Sequence, residues 1–267
     1  MRLQSFTVIG LATFATALAL GCASPSEDDA APADETGEDD LTQRQLPGVV
    51  AVEVAEVRGS TQVLSSKTLA APKKVKGIVT NIKKLKPTDP VPRCMERDTA
   101  RLTFLDATGK KIATVGSYCG GFGSIDFENG KPGYGVRFDA TAVDAARNAP
   151  LAVGDVLWGV TNIEILRPST QEKKSLSGDK IAPILAGFDL DEVPDANASF
   201  PRCLPSYSVS FKRANTDLAH TSFICGSTTA ATAPASLKAQ FSGTSPVVRG
   251  GITIDPRPVI KALETRD

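Results

Sequence analysis

Arg101-Leu102-Thr103-Phe104-Leu105 and Ile112 to Tyr118 are two strand-like runs, and the turn residues Ala107-Thr108-Gly109-Lys110 separate them. Alternation of apolar and polar residues is typical of half-buried β-strands. Two such runs around a short turn predict a β-hairpin. The same design recurs later, at Ser208 to Phe211, Ala214 to Asp217 and Leu218 to Ile224. The chain is therefore predicted to contain two similar hairpins.

A cysteine flanks each hairpin on both sides. The flanking motifs are Pro92-Arg93-Cys94 with Cys119-Gly120, and Pro201-Arg202-Cys203 with Cys225-Gly226. Four cysteines allow three pairings. The flanking positions put the two cysteines of a hairpin nearly opposite each other, within the roughly 7 Å between Cα atoms that a disulfide needs. We therefore predict the disulfides Cys94–Cys119 and Cys203–Cys225, each closing a loop of about 25 residues that contributes ~3–4 kcal/mol.

A second pair of matching segments lies upstream of the hairpins. Gly77 to Pro87 aligns with Trp158 to Pro168, and both segments contain the tetrapeptide Val-Thr-Asn-Ile. Matched blocks in the same order indicate an internal duplication. We predict a first β repeat at 48–150 and a second at 151–267, with an insertion at about 169–200 in the second.

Short strands are predicted along the whole folded part. Val50, Val52 and Val54 begin the first alternating run. Further strands are predicted at 62–69, 75–85, 101–106, 111–118, 134–138, 155–166, 207–213, 218–225 and 247–254. Short helices are predicted at Thr141–Asn148, Pro234–Gln240 and Pro258–Leu263. The sequence thus predicts a mainly β protein of duplicated β-sandwich or barrel-like units, with two disulfide-bracketed hairpins and few short helices.

The N-terminus carries an export signal. Arg2 is followed by an apolar run from Phe6 to Leu20 and then by the small residue Gly21 and by Cys22. The apolar run is shorter than the roughly 20 residues that a membrane-spanning helix needs. A charged start, a short apolar core and small residues at the exit are typical of a signal peptide, which we place at 1–21.

Gly21 and Cys22, with Leu18 to Leu20 before them, resemble the signal of bacterial lipoproteins. The resemblance covers about the first 22 residues only. It implies cleavage before Cys22, a diacylglyceryl group on its thiol and, because Ala23 rather than aspartate follows, sorting to the outer membrane. Ordinary secretion, with cleavage after Ala19 or Ala23, is the alternative. Two or more acyl chains would give a stable anchor, whereas one binds only marginally.

An acidic segment at 22–47 follows the signal. Eight acids lie between Glu27 and Asp40, opposed by Arg44, and large apolar residues are nearly absent. Such a composition cannot bury enough apolar surface to offset the entropy of ordering, so the sequence predicts a disordered tether. Together with the lipid, the tether would hold a folded body away from a membrane.

The folded part is basic, although the whole chain has 30 basic and 30 acidic residues. A lysine-rich stretch early in the first repeat is a candidate surface for an anionic envelope polymer or lipid head groups. The alternative is a solvated strand edge that lysines protect from aggregation. This lysine surface consists of Lys73, Lys74, Lys76, Lys83, Lys84 and Lys86. No nucleic-acid-binding module accompanies it, so we expect no nucleic-acid partner.

Candidate catalytic residues are few. His220 is the only histidine, which excludes a two-histidine metal site, and we expect it to be structural. Asp189, Asp191 and Glu192 offer oxygen ligands for calcium or carboxylates for a hydrolase, without the spacing of an EF-hand loop. Gly120 to Ser124 is glycine-rich and predicts a bulge or an irregular turn rather than a phosphate-binding loop.

These observations favour an exported, membrane-anchored lipoprotein with a non-enzymatic binding or structural role at the cell envelope. We expect it at the outer membrane, facing the periplasm or the cell exterior, without a cofactor or a bound metal. The alternative is an exported hydrolase that uses carboxylates, which a crevice with two converging acids of raised pKa would favour.

Overall fold

The structure is a computed structural model, and it describes residues 46–59, 62–86, 88–89, 100–118, 120–200, 205–224, 229–244 and 247–265. All of these residues belong to one structural unit, Gly37–Asp267. The predicted signal peptide, Cys22, residues 23–45 of the acidic tether and the four other cysteines lie outside the described residues. The two predicted disulfides and the lipid anchor therefore remain predictions. The last two tether residues, Leu46 and Pro47, are described, and Leu46 is buried in a hydrophobic core with Val52 and Phe104, so the prediction of a disordered tether is wrong at Leu46.

The first sheet has seven antiparallel strands in the order β2-β1-β4-β5-β6-β7-β3. Its strands are β1 (Ala51–Arg58), β2 (Gln62–Leu69), β3 (Ile82–Lys84), β4 (Ala100–Leu105), β5 (Lys111–Tyr118), β6 (Phe122–Phe127) and β7 (Tyr134–Phe138). Helix α1 (Pro72–Thr80) connects β2 to β3, and helix α2 (Ala140–Asn148) follows β7. We call these elements the first half.

The second sheet has six strands in the order β13-β12-β11-β10-β8-β9, also antiparallel. Its strands are β8 (Asn162–Arg167), β9 (Glu172–Ser177), β10 (Pro205–Arg213), β11 (Thr216–Ile224), β12 (Leu237–Thr244) and β13 (Val247–Ile254). Helix α3 (Val153–Leu157) precedes β8. A 3-10 turn (Gly178–Lys180) and helix α4 (Ala182–Leu185) follow β9, and helix α5 (Arg257–Glu264) follows β13. These elements form the second half.

Each sheet has a hydrophobic core of its own, and helices cover it. In the first half, Val75 and Ile78 of α1 and Val143 of α2 pack on sheet residues such as Phe104. In the second half, residues of α3, α4 and α5 pack on the inner face of the other sheet. The prediction of a mainly β protein is confirmed. The sandwich expectation differs from the structure in that helices, rather than a second sheet, lie on each inner face.

Six strands of the first sheet share one connectivity with the six strands of the second, whereas β3, which pairs with β7, has no counterpart there. Each sheet begins with a hairpin, β1–β2 or β8–β9, whose first strand pairs with a later strand, β4 or β10. That later strand begins a four-stranded meander, β4–β7 or β10–β13, and a helix follows the meander. The register also corresponds, since Val52 lies opposite Phe104 and Ile163 lies opposite Phe211. By this register the counterpart of Ile163 is Val52, whereas the sequence alignment predicts Ile82, which pairs with Phe138 of β7 instead. The two predicted hairpins are β4–β5 and β10–β11, at the centre of the sheets.

The strand predicted at 75–85 is wrong for most of its length, because residues 72–80 form α1. Pro72 occupies the first turn, where its missing N–H costs nothing. Val75, Ile78 and Val79 are buried at helical spacing, so their β-branched side chains fill one helix face rather than a pleated surface. Only Ile82–Lys84 forms a strand. Residues 77–80 are thus helical, whereas the aligned residues 158–161 precede β8 outside any helix.

Three other local predictions need correction. The run 155–166 is divided between α3 and β8, and the helix predicted at 234–240 is replaced by β12, which pairs with β11 and β13. Of the glycine-rich run, Gly120 and Gly121 form a turn with positive φ, whereas Gly123 lies within β6. A Cβ at Gly123 would meet the carbonyl oxygen of Gly116 at 2.2 Å. Glycine allows this close approach of two strands. The predicted insertion, 169–200, contains β9 and α4.

Candidate functional site

A groove lies along α5 in the second half, between that helix, β9 and α4. It encloses about 840 Å³, within the range of small-molecule and peptide pockets. Its floor is apolar and is formed by Leu176, Pro183, Ile184, Ala230, Pro258 and Ala262. These side chains come from segments far apart in the sequence, so only the tertiary structure brings them together.

The rim of this groove is cationic. Lys174, Lys180, Arg257 and Lys261 lie on it, with Asp255 as the single carboxylate among the lining residues. Lys174 Nζ donates to the carbonyl oxygen of Thr265 at 2.6 Å, and Lys180 also takes part in interactions within the chain. We call this site, with its apolar floor and its four cations, the anion groove.

Asp255 does not neutralise the lysines of the rim, because Arg257 binds it at both oxygens. The Arg257 guanidinium donates to Asp255 at 2.9 Å and 2.6 Å, and these hydrogen bonds hold the pKa of the Asp255 carboxyl below its usual range. Among the described lining residues, four side chains are cationic and one is anionic. An apolar floor under a positive rim suits a ligand with an apolar body and a carboxylate.

A second polar cluster joins the two halves around Asp155 in α3. The Asp155 side chain is fully buried and accepts hydrogen bonds from the backbone N–H groups of Ala70 at 2.7 Å, Ala71 at 2.9 Å and Ala152 at 3.0 Å. Lys74 Nζ completes the set as its ion-pair partner. A buried carboxylate requires such a complete set of donors. Because every oxygen is occupied by the protein itself, this cluster is a structural junction.

Lys67 belongs to the same junction. Its Nζ donates to the carbonyl oxygens of Arg147 and Ala149, both at 2.7 Å, where α2 ends. Burial lowers the pKa of Lys67, and the nearby charge of Lys74 lowers it further, whereas Asp155 opposes the change. The ammonium thus binds the carbonyls that the end of a helix leaves unpaired.

The predicted lysine surface is divided by the structure. Five of its residues are exposed, namely Lys73, Lys76, Lys83, Lys84 and Lys86. The sixth, Lys74, is turned into the junction with Asp155, where 17% of its side chain remains accessible. Five lysines on α1, β3 and the following loop therefore remain as a candidate anion-binding surface.

The predicted carboxylates bind separate backbone groups. Asp189 accepts from the N–H of Asp191, Asp191 from the N–H of Lys73, and Glu192 from the N–H of Thr253. They do not converge on a shared site. Within the described ranges, no group of three or more metal-binding side chains is found.

His220 lies between two serines on the outer face of the second sheet. Its Nε2 is 3.0 Å from Ser208 Oγ, and its Nδ1 is 3.2 Å from Ser210 Oγ. A catalytic histidine needs one nitrogen for a nucleophile and the other for an orienting carboxylate. Here serines occupy both nitrogens, so the arrangement fits a structural histidine. Burial lowers the pKa of His220, and the charge of Asp217 opposes that shift.

Comparisons with known proteins give no match: no family model fits the chain, and neither a curated protein nor a solved structure is similar to it. Among the helices that the structure describes, none has the length and apolar character to cross a membrane.

The anion groove was not found from the sequence. Lys174, Lys180 and Lys261 are far apart and resemble ordinary surface lysines. The available signal was the amphipathic pattern of α5, where Val259, Ile260 and Leu263 are buried while Lys261 is exposed. That pattern predicts a helix on a core but gives no information about the groove beside it.

Proposed function

We propose that this protein is an exported, lipid-anchored binding protein of the cell envelope, and that its anion groove holds the ligand. The observation that carries this proposal is the groove itself, with an apolar floor of Leu176 and Ile184 under a rim that includes Lys180 and Lys261. The ligand is an organic acid with an apolar body. The predicted signal peptide and Cys22 support a location at the cell envelope, and the acidic tether would hold the folded body away from the lipid.

The proposal includes a duplicated body with two disulfide-bracketed hairpins. The common connectivity of the two sheets supports duplication, and so does the correspondence of Phe104 with Phe211 in register. The hairpins β4–β5 and β10–β11 occupy equivalent central positions. One disulfide beside each hairpin would stabilise each half separately.

A carboxylate and its neutral analogue test the function. Decanoate and decanol are titrated calorimetrically into the full mature chain, its double variant Lys180→Gln/Lys261→Gln and the control Lys76→Gln. We expect decanoate to bind the parent and the control alike. The double variant should bind at least about tenfold more weakly, because a hydrogen bond to a charged group is worth ~1.5–3 kcal/mol. Equal binding of decanoate to all three proteins, or no binding, would overturn the assignment.

The exposed lysines of the first half are a second candidate, favoured by their clustering on α1 and β3. Their test exchanges Lys73, Lys76, Lys83, Lys84 and Lys86 for glutamine and keeps Lys74, whose removal would disturb the junction with Asp155. Reduced retention on anionic vesicles at low salt would support this surface. Unchanged retention would exclude the five exposed lysines as a binding surface.

A further inference from the structure

The segment between α4 and β10 contains a motif that has no part in the anion groove. Its five residues are Asp195-Ala196-Asn197-Ala198-Ser199. Asn-x-Ser/Thr, with any residue except proline in the middle, is the acceptor sequence for N-linked glycosylation of exported proteins. Asp195 adds a negative charge two residues before the acceptor, which gives a cationic peptide-binding site of a transferase one more group to bind. The motif therefore has the side chains that a glycosylation site needs.

This acceptor sequence occurs once in the chain. Asn197 is the one asparagine with a serine or threonine two residues later. Lysine, proline, glutamate or aspartate stands at that position after the other asparagines, which are Asn81, Asn129, Asn148, Asn162 and Asn215. The chain therefore offers a single candidate site, and its other asparagines serve as internal controls.

The structure places Asn197 in a surface turn. Asp195, Asn197 and Ser199 are exposed, and the motif belongs to none of the helices or sheet strands. The N–H of Ala198 donates to the carbonyl oxygen of Asp195 at 3.1 Å, which closes a four-residue turn with Asn197 at its third position. The N–H of Asn197 donates to the Asp195 carboxylate at 2.9 Å. The acceptor residue is thus accessible on a turn rather than held within a sheet.

One end of this turn is fixed to the second sheet. Asp195 and Gly251 of β13 exchange two backbone hydrogen bonds, of 2.9 Å and 2.8 Å. The two segments lie so close that a Cβ on Gly250 would meet the carbonyl oxygen of Asp195 at 2.7 Å. Because β13 is an edge strand, a glycan on Asn197 would stand beside the edge of the sheet. A bulky hydrophilic group there would hinder other chains from pairing with that edge.

We propose that Asn197 is glycosylated after export, by an envelope oligosaccharyltransferase that uses a lipid-linked pyrophosphate oligosaccharide as donor. The bond between C1 of the first sugar and the pyrophosphate oxygen breaks, and a bond from C1 to Nδ2 of Asn197 forms. The proton that Nδ2 loses goes to the released lipid pyrophosphate, so the transfer needs no oxidant or reductant. The proposal depends on the export that the signal peptide predicts, and it is independent of the anion groove.

Peptide mass mapping tests the proposal on the full protein isolated from the envelope of the cells that produce it. Trypsin releases residues 181–202 as one peptide that carries Asn197. This peptide lacks Cys22, so a lipid at the N-terminus does not alter its mass. We expect it to be heavier than its sequence by the mass of an oligosaccharide, with fragment ions that place the addition on Asn197. The peptides that carry Asn162 and Asn215 should have their unmodified masses.

Substitutions within the motif test which side chains the modification requires. Asn197→Gln and Ser199→Ala should lose the added mass, Ser199→Thr should keep it, and Asp195→Asn should lower the modified fraction. All three positions are exposed, and circular dichroism verifies that each variant is folded. Three outcomes would overturn the inference: an unmodified Asn197 peptide in the parent protein, an added mass that persists in Asn197→Gln, and equal modification of Asn162 or Asn215.

Discussion

Replacement of Asp155 by alanine is expected to be the most destabilising single charge removal within the described part of this protein. The change removes a fully buried carboxylate that accepts three backbone hydrogen bonds and pairs with Lys74. Three N–H groups would lose their acceptor. The Lys74 ammonium, with 17% of its side chain accessible, would lose its partner. Breaking such a pair typically costs 3–5 kcal/mol, so we expect a loss of about 4 kcal/mol.

Urea denaturation of the disulfide-intact mature chain measures this loss. The single tryptophan, Trp158, lies three residues after Asp155 and reports the junction by fluorescence, while circular dichroism reports the sheets. Asp144→Ala is the control, because its side chain is 59% accessible and forms a surface ion pair with Arg147. Surface pairs of this kind contribute about 0.5 kcal/mol. If the Asp155 cluster holds the two halves together, the fluorescence transition of Asp155→Ala should also occur at a lower urea concentration than its circular dichroism transition.

A double-mutant cycle isolates the ion pair itself. Lys74→Met removes the ammonium and leaves the three N–H donors on Asp155, so it should cost less than Asp155→Ala. The double variant should be more stable than the sum of the single losses predicts, by about 1.5–3 kcal/mol, because no charge is left unpaired. A loss below about 1 kcal/mol for Asp155→Ala, or additive losses in the cycle, would refute the reasoning.

Three further predictions concern separate sites. Thr221→Val should stabilise the protein by about 1 kcal/mol in urea denaturation, because Thr221 Oγ1 is buried without a hydrogen-bond partner among the described residues and the equivalent position in β5 is Val115. The pKa of His220, read from the only histidine signals in the NMR spectrum, should lie below 6.5, and Asp217→Asn should lower it further. Since the unfolded chain then binds more protons, His220 should reduce stability as the pH falls from 6.5 through the folded pKa. The intact mass of the mature protein should show a lipidated N-terminus at Cys22, and an unmodified N-terminus at another residue would refute the anchor.

In the central hairpins, the alternating sequence pattern correctly predicts which side chains are buried. Leu102 and Phe104 alternate with polar residues, and both are fully buried in β4 as the pattern indicates. Alternation works there because a strand in a sheet with one covered face divides its side chains between core and solvent. The strand prediction is wrong at α1, because Val75, Ile78 and Val79 are β-branched residues that favour strands, although their spacing is helical. Packing on the sheet and on α2 decides in favour of the helix.

The sequence by itself determined the predicted compartment, the cysteine parity and the mainly β class, because a signal, a residue count and an alternating pattern are all local properties. Only the tertiary structure decided that helices cover each sheet, that Lys74 faces Asp155 across 81 residues of chain, and that Lys174 and Lys261 share one groove. These depend on contacts between distant segments, whose geometry is set by the packing of the whole body. The groove is therefore a property of the fold, and the decanoate experiment addresses it directly.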